Sequence, residues 1–178
     1  MLQEYTTWVV ATIFFKEPTG EHYLKEISRK AKLAHTSVKK QLELLKKENI
    51  IKETIQKKGS RDFPVYKANL NAGAYIIAKK HFNQHNSSFY GLRHYLVLKL
   101  MPKTMVLFGS YFQGRDIEDS DIDIFVECKK QEIDLSNYER ELNRKVQLHF
   151  NEKFKSLPKE LKNNIINGTV LSGFLEAF

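Results

Sequence analysis

Residues 104–127, TMVLFGSYFQGRDIEDSDIDIFVE, restrict what this chain can fold into more than any other segment. TMVLF is a β-branched and aromatic run of the kind that forms a buried strand. Gly109 and Ser110 then turn the chain into a short helical stretch, SYFQGR. A glycine there lets a phosphate approach the backbone, the helix start offers unpaired N–H groups, and the Ser110 hydroxyl adds a donor. DIDIFVE returns as a second strand with strict early alternation. Side chains alternate faces with a period of two, so Asp121 and Asp123 are expected on one side, with Ile122 and Ile124 on the other. Two carboxylates on one face repel each other unless a cation lies between them. Hard oxygen ligands in that pattern suit Mg²⁺ bridging to a nucleoside triphosphate.

A strand, Gly-Ser, a short helix and then Asp-x-Asp after ten intervening residues (111–120) form a specific combination, although each part alone is weak. The combination resembles the signature of the DNA polymerase β-type nucleotidyltransferase superfamily, and its spacing is similar to that of the minimal nucleotidyltransferase branch. The resemblance extends over residues 88–178. It implies that Gly109 and Ser110 hold a triphosphate, and that Asp121 and Asp123 are catalytic and bind metal. The implied cofactor is Mg²⁺, with an NTP, expected to be ATP, as substrate.

Active members of that superfamily carry a third carboxylate on a neighbouring strand. The candidate strand here is KVQLHF, residues 145–150. Val146, Leu148 and Phe150 form its apolar face, so Lys145, Gln147 and His149 occupy the other. Gln147 falls at the expected carboxylate position, with His149 as the alternative. A neutral Gln cannot act as a base, whereas an imidazole can. Glu152 lies just beyond the strand. Arg115, Arg144 and Lys145 read as solvated charges. Pro158 opens a last helix on which Leu161, Ile165 and Ile166 share a face, and Gly168 ends it.

The first half has a different pattern. Tyr5, Trp8, Val9, Thr12 and Ile13 fall on one helical face, and Pro18 and Gly20 break the chain. HYLKEISRKA predicts a second helix with Leu24, Ile27 and Ala31 inward. SVKKQLELLKKENI predicts a third, with Val38, Leu42 and Leu45 inward and Thr36 or Ser37 as N-cap. IIKETI and FPVYKANL, separated by QKKGSRD, form a hairpin signal. Three helices followed by a basic hairpin resemble a winged helix-turn-helix domain, over residues 3–70. That resemblance implies a third helix in the DNA major groove, presenting His35, Thr36, Ser37, Lys39, Lys40 and Gln41. The wing tip would bring Lys57, Lys58, Ser60 and Arg61 to phosphates. Residues 71–101 then read as two helices: one capped by Asn71 and running to Phe82, the other running from Ser88 to Leu100, with Pro102 beyond. His81, His85 and His94 lack the spacing of a metal site.

Charge agrees with this division. Residues 1–70 hold 14 of the 29 Lys and Arg but only 8 of the 21 Asp and Glu, so most of the formal charge of +8 lies there. Basic surface captures polyanions. The single cysteine, Cys128, rules out an internal disulfide framework and a zinc cluster, and fits a reducing compartment. No run approaches a membrane span and no signal peptide is evident, so a soluble cytoplasmic protein is expected.

The expectation is an α/β (α+β) protein in three parts. A winged helix-turn-helix domain occupies residues 1–70, a helical connector 71–87, and a polymerase β-like domain with a small mixed sheet 88–178. The expected activity moves an NMP from an NTP to a protein or nucleic-acid hydroxyl, coupled to DNA binding. The resemblance also implies a HEPN-type toxin as partner and an antitoxin role; a homodimer is a separate expectation that the resemblance does not carry. The alternative is a catalytically degenerate nucleotidyltransferase that acts as a nucleotide-responsive DNA-binding regulator. RNA end modification is a third reading.

Overall fold

The computed structural model describes residues 2–177, and side chains from Tyr5 onward apart from that of Lys58. The chain divides into two units, residues 1–82 and 83–178.

The first unit comprises α1 (Leu2–Lys16), β1 (His22–Tyr23), α2 (Leu24–Ala31), α3 (His35–Lys47), β2 (Ile51–Lys58) and β3 (Arg61–Ala68), and takes in α4 (Gly73–His85) as far as Phe82. Residues 8–15, WVVATIFF, are almost wholly apolar, so periodicity does not select a face of α1. The buried set is Val10, Ala11, Ile13, Phe14 and Phe15, while Tyr5 and Trp8 are exposed, unlike the expected inward face. Ile27 of α2 and Val38, Leu42 and Leu45 of α3 close on that set as their spacing predicts. Tyr75 of α4 joins them, and its hydroxyl donates to the Phe14 carbonyl at 3.1 Å. The fully buried Lys79 donates to the Phe15 carbonyl at 2.7 Å, which places its charge at the negative end of α1.

α3 starts at His35 with Ala34 as N-cap and no side-chain cap bond, so neither Thr36 nor Ser37 caps it. Gln41 is buried and its Oε1 accepts from Thr7 Oγ1 at 2.6 Å, which removes it from the outward face expected for it. The hairpin turn is tighter than the sequence implied. β2 and β3 pair antiparallel down to Lys58 and Arg61, which leaves only Gly59 and Ser60 between them, with Gly59 at φ +63°. β1 adds a third strand on the β3 edge, in the order β1-β3-β2.

The second unit begins within α4. Asn86 separates α4 from α5 (Ser87–Leu100) and caps α5, its side chain accepting from Phe89 N at 2.9 Å. There follow β4 (Thr104–Phe108), α6 (Gly109–Gln113), β5 (Ile122–Val126), α7 (Ser136–Leu142), β6 (Val146–Phe150), a 3₁₀ turn at Phe154–Ser156, α8 (Lys159–Ile166) and β7 (Thr169–Gly173). The strands form a small mixed sheet in the order β6-β5-β4-β7, with β5 and β6 parallel and the other pairs antiparallel. β4 is buried along its whole length. Met105 and Leu107 of β4, Ile122, Ile124 and Val126 of β5 and Val146 of β6 pack on Phe89, Leu92, Leu96 and Leu100 of α5. On the opposite side Val106, Phe108 and Phe125 pack on Phe154, Leu157 and Ile165. Ile166, expected inward with Leu161 and Ile165, is exposed. The alternation of β4 and β5 thus divides their side chains between two cores.

Candidate functional site

The site lies where β4 ends and β5 begins. Phe108 and Asp123 are directly paired across the two strands, and Gly109 follows at φ +77°, a conformation that favours glycine. A methyl group at Gly109 would stand 2.6 Å from Asp123 Oδ2, so the carboxylate fills the space that any other residue's side chain would take. Gly109→Ala therefore meets both a steric clash and a left-handed backbone. We expect it to lower the unfolding free energy by about 1–3 kcal/mol, measured by chemical denaturation.

Asp121 and Asp123 are both half-buried, whereas Ile122 and Ile124 are completely buried in the α5-facing core. Asp121 sits one residue ahead of β5, and Ile122 N donates to the Lys145 carbonyl at 2.8 Å to start the strand. Asp121 lines an open cleft of about 530 Å³, with Glu118 and Asp119 beside it and Arg140 and Lys145 also on the wall. Ser110 is half-buried in the first turn of α6. Its carbonyl accepts from Arg115 N at 3.0 Å, as the chain leaves the helix through Gly114 in a left-handed cap.

The loop between α6 and Asp121 is anchored from below. Asp116 is buried, and its Oδ1 accepts from Asn83 Nδ2 at 2.7 Å. Its Oδ2 lies 3.5 Å from Arg144 Nη2, with both side chains almost fully buried. Arg144 is thus an internal counter-charge, not the solvated side chain expected. Asn83 also donates to the Tyr111 carbonyl at 2.8 Å, and Tyr111 donates back to the Asn83 carbonyl at 3.1 Å. Burial pushes the Tyr111 phenol well above its ordinary pKa, so it stays a neutral donor. Above this anchor Ile117 and Ser120 close a small turn, with Ile117 N donating to Ser120 Oγ at 3.0 Å.

On β6, Gln147 stands directly across from Asp123 but is exposed. His149, two residues on and the same side of the strand, is the residue that reaches the acid: its Nε2 lies 2.9 Å from Asp123 Oδ1. The imidazole also packs on Phe108, with ring centroids 5.1 Å apart. Of the two alternatives the sequence left open, His149 makes the contact. The pairing joins residues 26 apart in the chain, through parallel strands whose register no local pattern encodes. Glu152 is exposed.

Among the described residues, the three acidic and histidine side chains whose ligand atoms converge are Glu17, His22 and Glu26, in the first unit, whereas Asp121, Asp123 and His149 do not form such a group. There Lys30 Nζ lies 2.6 Å from Glu17 and 2.7 Å from Glu26, so the protein's own ammonium balances the two carboxylates. Burial works against the Glu26 charge, but hydrogen bonds from Lys30 and His22 outweigh it and leave the carboxyl below its ordinary pKa.

The residues proposed from the sequence for DNA contact are Thr36, Ser37, Lys39 and Lys40 on α3 and Lys57, Lys58 and Arg61 on the hairpin. Thr36, Lys39, Lys40, Lys57 and Arg61 are exposed and Ser37 is half-buried, while the Lys58 side chain lies outside the described residues. No helix among the described residues is long and apolar enough to cross a membrane.

A scan against protein families matches residues 92–173 to the family described as polymerase beta, nucleotidyltransferase. No curated protein and no solved structure matches the chain. The matched span contains Gly109, Ser110, Asp121, Asp123 and His149. The match supports a nucleotidyltransferase domain of the polymerase β type in the second unit of this chain.

Proposed function

We propose that the protein transfers a nucleoside monophosphate from an NTP, with ATP as the expected donor, to a hydroxyl group, with release of pyrophosphate. Asp121 and Asp123 hold the cation, for which Mg²⁺ is the ion expected from the superfamily. The donor set suits a divalent ion, because two half-buried carboxylates stand at the start of β5, and one of them, Asp123, lies against Gly109. Gly109 and Ser110 seat the triphosphate. An ion held by Asp121 and Asp123 would supply positive charge to the phosphates of the donor, which Gly109 and Ser110 would position. The observation that carries this reading is Asp123 Oδ2 lying where a Gly109 side chain would be, which couples the acid to the Gly-Ser turn. The test is incubation of the purified chain with labelled NTP, Mg²⁺ and cell lysate. Covalent label on a macromolecule supports transfer, and nucleotide binding without label contradicts it.

A second reading is supported by Gln147, which places a neutral, exposed amide opposite Asp123. In this reading the nucleotide binds without turnover, and the first unit acts as a nucleotide-responsive DNA-binding regulator. The same assay separates the two, since the regulator binds NTP and labels nothing.

The first unit is proposed to be a winged helix-turn-helix that holds DNA. Support comes from the order α1, α2, α3 and hairpin, and from the exposed Lys39, Lys40, Lys57 and Arg61. Lys57→Ala and Arg61→Ala should each reduce the slope of log affinity against log salt by about one, with little change in sequence preference. Fluorescence anisotropy with duplex DNA at several salt concentrations measures this. A HEPN-type protein as acceptor, an antitoxin role, a homodimer and a cytoplasmic setting belong to the same proposal.

A further inference from the structure

We infer that Glu17, His22 and Glu26 form a binding site for a first-row transition ion, with Zn²⁺ as its probe, and that the Lys30 ammonium holds the ion's place between the two carboxylates. The inference is independent of the nucleotide-transfer reading, since all four residues lie in the first unit. One ligand atom from each of Glu17, His22 and Glu26 lies within 4.8 Å of the other two. Three separate elements bring them there. Glu17 follows the last residue of α1, His22 is the first residue of β1, and Glu26 stands in the first turn of α2.

Two acids alone would mean little, and the histidine is what points to an ion. His22 is 1% exposed, and its Nε2 is buried with no hydrogen-bond partner. A buried polar atom left in that way carries a desolvation cost that no hydrogen bond offsets. The other ring nitrogen, Nδ1, lies 3.3 Å from Glu26 Oε1. An Nδ1–H that donates there leaves the lone pair on Nε2, the form that a metal takes. Nε2 lies 3.8 Å from Glu17 Oε2. Neighbouring donors on a tetrahedral ion with bonds of about 2.1 Å stand about 3.4 Å apart, so a small movement of the partly exposed Glu17 side chain brings both to one ion. Gly20 keeps that nitrogen uncovered. A Cβ there would stand 2.8 Å from Nε2, while the Gly20 backbone has no left-handed φ, so contact with the ring is what a side chain at this position would violate.

A cation of the protein's own already marks the place. Lys30 Nζ lies 2.6 Å from Glu17 Oε2 and 2.7 Å from Glu26 Oε1. An ammonium only donates, so it satisfies the two acids and leaves an imidazole lone pair unused, whereas a metal ion takes electron pairs from all three. The Lys30 side chain is 30% exposed, so its ammonium can leave for water as an ion enters. One imidazole with two carboxylates suits Zn²⁺ and its first-row neighbours, and no thiolate is needed. Mg²⁺ prefers oxygen ligands and keeps its waters, so it competes poorly for such a set.

The test is titration of the full chain in excess Mg²⁺, with Co²⁺ read by its visible absorption and Zn²⁺ read by calorimetry. We expect one ion per chain at this site, the intense absorption of tetrahedral Co²⁺ and a higher melting temperature with Zn²⁺. Glu17→Gln should weaken binding at least about tenfold, and Lys30→Met should strengthen it about tenfold, with the fold of each checked by circular dichroism. Asp121→Asn with Asp123→Asn should leave it unchanged. Binding that ignores Glu17→Gln, or that is lost with the two aspartates instead, overturns the inference. So does binding seen only after Lys30→Met, since the ammonium would then be the native occupant, and so does the absence of binding in both.

Discussion

If Asp123 holds the cation as proposed, Asp123→Asn is expected to lower nucleotide transfer at least about 10³-fold, equivalent to about 4 kcal/mol of lost transition-state stabilisation, and to leave the fold almost unchanged. The substitution keeps the volume that lies against Gly109 and keeps an oxygen or nitrogen facing His149. Only the charge is removed. A half-buried polar replacement of the same shape costs less than about 1 kcal/mol in stability. A divalent ion bound as proposed would lose one of its two carboxylates and with it most of its hold on the phosphates. Initial rates of label transfer, measured beside thermal melts of the same protein, separate the two effects. A variant that keeps more than a tenth of the activity would show that Asp123 does not hold the cation.

Arg144→Met produces the largest expected loss of stability, about 3–5 kcal/mol in the second unit. Arg144 and Asp116 are both buried, and removing the cation takes the opposite charge away from a carboxylate that stays in the interior, where Asn83 still donates to it. For a unit of this size the loss lowers the melting temperature by more than about 10 °C. Adding Asp116→Asn to the same protein should recover at least about 1 kcal/mol, because it removes the stranded charge and still accepts from Asn83. Calorimetry of the two single variants and the double variant measures this coupling. Strict additivity would mean that the two groups do not interact. The pair also matters for the site, since Asp116 begins the stretch that ends at Asp121.

Much of the site was legible in local sequence because its determinants are close together. The strand TMVLF, the Gly-Ser turn and the alternation of DIDI lie within about two dozen residues, and short-range periodicity reports burial directly. What escaped depends on distant partners. Arg144 looks like any surface arginine until the fold brings it to Asp116, 28 residues away. His149 reaches Asp123 only through the parallel register of β5 and β6. β7, TVLSG, is a five-residue edge strand that is only partly buried, so it lacks the apolar run that marked β4. It fits against β4 because Gly168 passes the Leu107 carbonyl where a Cβ would stand at 2.3 Å. β1 is two residues long and is defined only by its pairing with β3. The face of α1 was misread because its apolar residues run almost continuously, so packing chose Val10 and Phe14 over Tyr5 and Trp8.

If the acids and the Gly-Ser turn together grip a cation and a triphosphate, the α-phosphorus is the atom attacked. Parallel reactions with ATP labelled at the α- or the γ-phosphate test it most directly. α-Label should become covalently attached to an acceptor, with an equal amount of pyrophosphate released, and γ-label should appear only in that pyrophosphate. Attachment of γ-label, or bound ATP that never yields pyrophosphate in the presence of Mg²⁺ or Mn²⁺ and lysate, would contradict it.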